Sequence, residues 1–296
     1  MASVFMRRSF DAGRTWDAPR AVLHNESAGR MVAQQAVPVS SRSALLLLNI
    51  IPKHVPCGPG RQRCGKCVTY VSRSDDQGET WSSAQPLPGQ STWGSGVGNG
   101  IILSTGRLIA PRRADCCDCS GEPQAYVLMS DDKGYTWRAG ARLALGWTEC
   151  SVAELPNGSV VLSARALHGR AVDLPRHRRL FARSDDGGLT WAQTWGFSGR
   201  GGPLKDPDCF GSLASTPSSP ALFFANPNSA KRRANMTIHR SLDGGVTWAA
   251  WRSVYDGQAA YSALTMMQRG QRMGLAFERD RRYKHVSFVR VAVRPP

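Results

Sequence analysis

The segment Ser74-Asp75-Asp76-Gln77-Gly78-Glu79-Thr80-Trp81 is one of five copies of a pattern that decides the fold. The other copies begin at Ser9, Ser130, Ser184 and Ser241, and successive copies are 65, 56, 54 and 57 residues apart. Repetition at a nearly constant spacing is typical of repeat architectures. Each interval has room for about four short strands, which is one blade of a β-propeller. No stretch shows a convincing helical period, so we predict an all-β propeller.

Each copy of the pattern is expected to form a tight hairpin loop. The Asp at the third position, such as Asp76, can accept backbone N–H groups inside a turn. The Gly two residues later, such as Gly78, supplies a positive φ angle. Thr and Trp then begin the next strand, and the indole ring covers the turn. The pattern therefore predicts loops at regular places around a propeller, and by itself it indicates no chemistry.

Composition argues against several classes of protein. The chain has 296 residues and a formal net charge of +16, supplied mostly by Arg. The basic residues are spread along the chain and mixed with Asp, so we expect no nucleic-acid partner. No run of 18 apolar residues is present, so we expect no transmembrane segment. No clear linker divides the chain, and we interpret residues 1–296 as a single domain.

Two segments rich in Gly, Pro and Cys, Pro52–Lys66 and Arg112–Pro123, predict long loops. Six of the eight cysteines lie in or beside them, in the clusters Cys57/Cys64/Cys67 and Cys116/Cys117/Cys119. Zinc is an alternative because Cys64 and Cys67 have a C-x-x-C spacing, but we predict disulfides or free thiols and no metal. Three Asn-x-Ser/Thr sequons add to the signs of an oxidising secretory route. The first thirteen residues nevertheless lack the apolar core of a signal peptide.

The segment Thr148–Arg165 predicts a β-hairpin around Pro156-Asn157-Gly158. If these three residues form the loop, Leu155 faces Ser159, and Glu149 faces Arg165 on one side of the sheet. An exposed cross-strand ion pair would explain this pairing without any function. Glu154 points to the opposite face in this register, and we interpret it as structural.

The five copies resemble the Asp box, also called the bacterial neuraminidase repeat. The hairpin resembles the sialidase segment in which an active-site Arg follows a Glu by sixteen residues, as Arg165 follows Glu149. The stretch Asn226-Pro227, followed by Arg233-Ala234-Asn235-Met236-Thr237, and the stretch Ala260-Tyr261-Ser262-Ala263-Leu264 resemble two further sialidase motifs. The resemblance covers nearly the whole chain and is strongest to animal lysosomal sialidases and their bacterial exo-sialidase relatives. It implies a six-bladed β-propeller.

The resemblance also implies an activity, which is hydrolysis of terminal α-linked sialic acids from glycoproteins, gangliosides and oligosaccharides with retention. Tyr261 would be the nucleophile, and Glu149 would take its proton. Arg165 and Arg233 would bind the sialic acid carboxylate, and Glu278 is a further substrate-binding candidate. Without the resemblance, Tyr261 would be interpreted as a core tyrosine, and Arg232 stays an alternative to Arg233. No cofactor is implied, and the expected location is lysosomal, secretory or extracellular.

The match departs from the family at the N-terminus. Family members carry a Phe-Arg-Ile-Pro strand with another carboxylate-binding Arg, and then an acid/base Asp, before the first Asp box. Only eight residues precede Ser9 here. We therefore expect an N-terminally truncated chain with an incomplete first blade and without these two groups. The alternatives are a sialidase-like propeller that only binds sialylated or acidic glycans, and a structural propeller that serves protein interactions.

Overall fold

The computed structural model describes residues 2–25, 30–51, 68–87, 94–114, 123–167, 178–198, 202–216, 219–267 and 270–293. Their regular secondary structure is mainly β-strand, and a 3₁₀ turn, Arg281–Tyr283, precedes the last strand. The first ten strands are β1 (Ala2–Met6), β2 (Arg20–Asn25), β3 (Arg30–Pro38), β4 (Ala44–Ile51), β5 (Val68–Ser74), β6 (Gln85–Pro86), β7 (Ile101–Ile102), β8 (Leu108–Ala114), β9 (Gln124–Ser130) and β10 (Arg138–Ala139). The others are β11 (Trp147–Glu154), β12 (Val160–Ala166), β13 (Arg178–Ser184), β14 (Gln193–Ser198), β15 (Ser212–Thr216), β16 (Ser219–Pro227), β17 (Ala234–Ser241), β18 (Ala249–Met267), β19 (Arg272–Arg279) and β20 (His285–Ala292).

The strands pair in chain order into antiparallel sheets arranged as a β-propeller. Strands β3–β6, β7–β10 and β11–β14 each form a four-stranded sheet, β15–β20 form a six-stranded sheet, and β1 pairs with β2. The long strand β18 pairs with β17 up to Gln258 and with β19 from Ala259 onward. This change of partner divides the six-stranded sheet into two sheets, β15–β18 with four strands and β18–β20 with three. Counted in this way, four sheets have the four strands of a propeller blade, and the all-β prediction is confirmed. Six blades and a single domain over residues 1–296 stay predictions.

The five Asp boxes form the loops that the sequence predicts. In each copy the Ser hydroxyl bonds the Asp carboxylate, and the Thr backbone N–H and hydroxyl donate to the same carboxylate. These bonds lower the pKa of Asp76 to about 2, because they stabilise its charged form. The Gly of each box has a φ angle between +80° and +95°. In two boxes, Trp137 and Trp248 donate their indole N–H to the carbonyl of this Gly.

Apolar side chains pack neighbouring sheets against each other. Leu45 and Leu47 of β4 meet Leu108 and Leu128, and a further cluster joins Ile109 to the sheet of β11–β14. An inner sheet of this kind is covered on both faces, so its strands carry continuous apolar runs instead of alternating patterns. The buried aliphatic stretches of β8, β9 and β12 have this character.

The predicted hairpin register is confirmed from the Cys150–Ala164 pair to the Glu154–Val160 pair, the range over which β11 and β12 pair regularly. The register shifts between Trp147 and Cys150, so Glu149 lies at an irregularity of the strand. At the turn, Ser159 Oγ donates a 2.6 Å hydrogen bond to Asp185 of the fourth Asp box. The Asp boxes therefore lie at the turn end of this hairpin, which we call the Asp-box end of the sheets. Glu149 lies at the other end, which we call the site end.

The predicted loop over Arg112–Pro123 is wrong for its first three residues. Arg112, Arg113 and Ala114 continue strand β8, because they pair with β9 and the Arg112 side chain is buried. The remainder of that loop up to residue 122, the segment Pro52–Lys66 and both cysteine clusters lie outside the described residues. The described cysteines, Cys150 and Cys209, are free and buried, and burial raises the pKa of each thiol to about 12.

In the part of the chain that the structure describes, no helix has the length and apolar character needed to cross a membrane. The same residues contain no group of three or more His, Cys, Asp or Glu side chains placed to hold a metal ion.

Candidate active site

Five side chains singled out in the sequence lie at the site end of the sheets. Glu149 is near the start of β11, and Arg165 is near the end of β12. Arg233 directly precedes β17, Tyr261 follows the change of partner within β18, and Glu278 is near the end of β19. Because neighbouring strands are antiparallel, the start of one strand and the end of the next meet at the same edge. The fold therefore brings together residues that are far apart in the chain.

Tyr261 and Glu149 are in direct contact. The Tyr261 hydroxyl donates a hydrogen bond to Glu149 Oε1. Glu149 is only 6% exposed, so this contact is largely shielded from solvent. A carboxylate in this position is placed to accept the hydroxyl proton without a bridging water.

Two guanidinium groups flank the Glu149 carboxylate. Arg165 Nη1 donates to Glu149 Oε2 at 3.1 Å, and Arg113 Nη1 lies 3.5 Å from Oε1. Arg113 also donates to Ser95 Oγ and Thr148 Oγ1, each at 3.1 Å, which fixes its own direction. The buried carboxylate thus has cations on both sides, which offset the cost of removing it from water.

The electrostatics keep the Tyr261 hydroxyl protonated in the resting protein. Burial raises the pKa of Tyr261, and the negative charge of Glu149 raises it further. Burial alone would lower the pKa of Arg165, but the charge of Glu149, its hydrogen bond to Arg165 and other nearby groups together raise it. The site therefore holds a neutral phenol beside an anion and permanent cations.

Arg233 also belongs to this cluster. Its Nη2 donates to the backbone carbonyl of Asp208 at 2.8 Å, and its Cζ lies 5.7 Å from the centre of the Tyr261 ring. Arg232 and Lys231, its neighbours in sequence, are exposed. The structure thus brings Arg233 to the tyrosine and leaves Arg232 at the surface.

The two other glutamates differ in position. Glu278 Oε2 accepts a 3.3 Å hydrogen bond from the backbone N–H of Tyr261, so it contacts the main chain of the tyrosine. Glu154 lies at the Asp-box end, where it accepts bonds from the backbone N–H and the hydroxyl of Ser104. Glu154 therefore joins the end of β11 to the turn that carries Ser104, far from the site.

A buried ion pair lies next to the segment that packs against Tyr261. Arg179 and Asp206 form a salt bridge at 2.5 Å, and both side chains are essentially inaccessible to solvent. Asp206 also accepts a 3.1 Å bond from the backbone N–H of Cys209, which shapes the loop leading to Phe210. The Phe210 ring lies 5.6 Å from the Tyr261 ring. The pair thus helps to place the surface against which the tyrosine packs.

Three further residues at the site were not predicted from the sequence, namely Arg113, Arg179 and Asp206. For Arg113 a signal exists, because the alternation along β8 sends Arg112 and Arg113 to opposite faces of the sheet. Arg112 bonds Asn49 and Thr69, whereas Arg113 contacts Glu149. Nothing local in the sequence indicates the pairing of Asp206 with Arg179.

This cluster combines a shielded hydroxyl, a carboxylate in contact with it, and guanidinium groups from separate strands. Such an arrangement suits attack by an oxygen nucleophile on a substrate that carries a negative charge.

Comparison with known proteins identifies the family. The family model for the BNR repeat-like domain matches residues 2–273. The chain belongs to the BNR-repeat sialidase family. Among its members, the sialidase of Micromonospora viridifaciens is 30% identical over 97% of this chain and 46% of its own length. The sialidase of Bacteroides fragilis is 28% identical over 98% of this chain and 56% of its own length. The chain thus spans about half the length of these two BNR-repeat sialidases.

Solved sialidase structures share the fold. The structure of Hadza microbial sialidase Hz136 superposes with a TM-score of 0.80 at 26% identity, covering 98% of this chain and 59% of that one. The sialidase of Trypanosoma rangeli superposes with a TM-score of 0.71 at 19% identity, covering 98% of this chain and 49% of that one. The second likeness concerns the fold alone.

Proposed function

We propose that this chain is the catalytic propeller of an exo-α-sialidase that works through a tyrosine nucleophile with retention of configuration. The observation that carries the proposal is the hydrogen bond from the Tyr261 hydroxyl to the Glu149 carboxylate. Family membership supports a sialidase activity in general, and this contact supplies the chemical detail.

The charges of the site explain why a tyrosine is used. The anomeric carbon of sialic acid carries a carboxylate, which would repel an anionic nucleophile. Tyr261 is neutral before reaction, because burial and Glu149 raise its pKa. As the phenol oxygen bonds to the anomeric carbon, the glycosidic bond breaks and the aglycone leaves with its oxygen, which takes a proton from solvent. Glu149 accepts the phenol proton in the same step, so no full negative charge develops on the nucleophile beside the substrate carboxylate. Water then attacks the tyrosyl–sugar intermediate and releases sialic acid with its original configuration.

Arg165 and Arg233 are proposed to bind the substrate carboxylate. Arg165 uses Nη1 for Glu149, and its buried Nε has no hydrogen-bond partner among the described residues. A buried donor of this kind gains from an incoming carboxylate oxygen, by about 1.5–3 kcal/mol for a charged hydrogen bond. Arg233 lies over the Tyr261 ring and reaches the same space. Glu278 is proposed to contact the substrate, or to position Tyr261 through the main chain that it contacts.

The finer features of the family are also proposals for this chain. They are a six-bladed propeller formed as one domain over residues 1–296, and activity on sialylated glycoproteins, gangliosides and oligosaccharides. A lysosomal, secretory or extracellular location follows from the same resemblance. We assign no general acid among the described residues.

Covalent trapping tests the proposal directly. One related structure shows the Trypanosoma rangeli sialidase with 2,3-difluorosialic acid as a covalent intermediate. Incubating this chain with the same compound should add one sugar to the peptide that contains Tyr261, as detected by mass spectrometry. The Tyr261→Phe variant should remain unlabelled.

Labelling at another residue would contradict the assignment of Tyr261. Reversible binding of sialic acid without any labelling or sialic acid release would instead favour a propeller that recognises sialylated glycans without turnover.

A further inference from the structure

The arginines at the Asp-box end are mostly neutralised by carboxylates. Six of them form salt bridges with Asp or Glu side chains of the same or neighbouring loops: Arg8, Arg20, Arg73, Arg107, Arg138 and Arg183. The carboxylate partners there are Asp17, Asp75, Glu79, Asp131 and Asp185. Most of the positive charge of these six arginines is therefore compensated at that end.

The site end has a different charge pattern. The turn between β19 and β20 carries Arg281, Arg282 and Lys284, which we call the basic loop, and the turn between β16 and β17 carries Lys231 and Arg232. All five side chains are exposed, and in the described part of the protein none of them forms a salt bridge. Uncompensated cations of this kind create a positive field that attracts and orients anions.

The basic loop lies next to the candidate active site. It begins three residues after Glu278, which bonds the Tyr261 main chain, so its first Cα lies within about 11 Å of the Glu278 Cα. One backbone bond ties the turn to β18, from Asp280 to the Gln258 carbonyl at 2.9 Å. The next residue of β18, Ala259, bonds the Arg233 carbonyl at 3.1 Å and so connects the second basic turn to the same place. The two basic turns and Tyr261 therefore share one rim.

The backbone of the basic loop is held in an unusual conformation. Asp280, Arg282 and Tyr283 have φ angles of 67°, 61° and 53°, a region that residues other than Gly rarely adopt. The Asp280 carboxylate fixes the turn by bonding the Tyr255 hydroxyl and the Arg279 guanidinium. Strain that is maintained by surrounding contacts is a feature of ligand-binding segments.

An open cavity of about 470 Å³ lies within the turn, lined by Asp280, Arg281, Arg282, Lys284 and His285. Small-molecule pockets are typically about 300–1,000 Å³, so there is room for one sugar. We propose that the basic loop binds the carboxylate of a second sialic acid, next to the terminal one that enters the catalytic cluster. The substrate class is then disialyl and oligosialyl glycans.

This inference rests on the proposed function, because it places the terminal sialic acid at Arg165 and Arg233. Arg281, Arg282 and Lys284 offer donors that match a sugar carboxylate, and the planar Arg groups can bind it through two parallel hydrogen bonds. Since these side chains are exposed, the gain depends on salt concentration, as for other surface charge pairs.

Binding measurements on matched variants test the inference. The Arg281→Ala/Lys284→Ala variant removes two exposed cations from the basic loop. The Arg14→Ala/Arg42→Ala control removes two exposed cations from the Asp-box end, so the net charge changes equally. Calorimetry with a monosialyl and a disialyl glycan on the same core should show tighter binding of the disialyl glycan by the unmodified chain. The basic-loop variant should lose about tenfold in affinity for the disialyl glycan alone, and the control should lose little.

The outcomes separate this inference from the proposed function. Normal binding of the monosialyl glycan with no effect of the basic-loop variant would overturn the second subsite and leave the sialidase assignment intact. Failure of both glycans to bind would overturn both proposals. Equal losses in the control variant would show a general charge effect and would also overturn the subsite.

A third ligand distinguishes a second sialic acid from any nearby anion. A monosialyl glycan with a sulfate on its penultimate sugar should bind the unmodified chain less tightly than the disialyl glycan does. If the sulfated glycan binds as tightly, and loses as much affinity in the basic-loop variant, the loop recognises anionic groups in general and the assignment to sialic acid is wrong.

Discussion

The Tyr261 hydroxyl donates a hydrogen bond to the carboxylate of Glu149, which lies 112 positions earlier in the chain. The carboxylate is also in contact with Arg113 and Arg165, so one buried anion joins the phenol to two cations. Removing any of these partners changes the environment of the others, which makes the cluster suitable for mutational tests.

The Tyr261→Phe substitution should lower turnover far more than it weakens sialic acid binding. The hydroxyl contacts Glu149 in the resting protein and is used mainly during reaction, so kcat should fall about 10³-fold or more, with Kd within about threefold. Turnover of an aryl sialoside and calorimetric binding of sialic acid measure the two quantities. Tyr70→Phe, outside the site, is the matched control. Equal losses of turnover and affinity would point to a structural tyrosine.

Glu149→Gln should lower kcat by about 10²–10⁴-fold, because an amide has nearly the same shape but cannot take the Tyr261 proton. The control is Glu154→Gln, in the same hairpin but at the Asp-box end, where the side chain bonds Ser104. It should leave kcat nearly unchanged. If both variants lose activity to the same extent, the effect comes from the hairpin as a whole.

Arg113 is expected to act through Glu149 as a positioning residue. The Arg113→Met substitution should lower kcat by about tenfold, because Glu149 keeps only one of its two guanidinium partners. In the Glu149→Gln background the same substitution should have little further effect on kcat. Additive losses in this double-mutant cycle would mean that Arg113 acts by another route, and Arg42→Met controls for the loss of an arginine.

Stability should fall between about pH 6.5 and pH 4 because of His239. This imidazole is fully buried without a hydrogen-bond partner among the described residues, and burial lowers its pKa from 6.5 to about 4. In that pH range the unfolded state binds a proton that the folded state does not, so acidification favours unfolding, by about 2 kcal/mol at pH 5.

Thermal unfolding at pH 7.5 and pH 5 measures this effect. His239→Phe keeps a ring beside Phe224 but cannot titrate, so its Tm should fall less on acidification, by about 4–8 °C, than that of the unmodified chain. His285→Gln, at an exposed position, should behave like the unmodified chain. An identical Tm change in all three proteins would exclude His239 as the cause.

Local sequence patterns predicted the parts of this molecule that depend on local contacts. The Asp boxes are closed by bonds within seven residues, so their loops follow from the pattern itself. The hairpin register follows from one turn as far as Cys150, and the irregularity at Glu149 could not be predicted from that turn. The meeting of Tyr261 with Glu149 had no local signal and was expected only from the family resemblance.

Contacts between different sheets could not be read from the sequence in this way. Arg112 is only 1% exposed, although Arg is rarely buried, and the basic, Cys-rich stretch after Pro111 gave the appearance of a loop. The pairing of Arg179 with Asp206 likewise depends on how one loop crosses the next sheet. Charged residues in such positions are predicted poorly, because their partners come from distant segments.

Strand β18 belongs to two sheets at once, and the proposed nucleophile lies three residues beyond Gln258, where the pairing passes from β17 to β19. A local opening that frees either half of this strand pulls on the backbone that carries Tyr261. Amide hydrogens on both sides of the junction should therefore exchange with solvent as one cooperative unit, with a protection close to that of global unfolding. The position of Tyr261 then depends on the stability of two neighbouring sheets. If the pairing of β18 opens in either sheet, we expect the contact between Tyr261 and Glu149 to be lost.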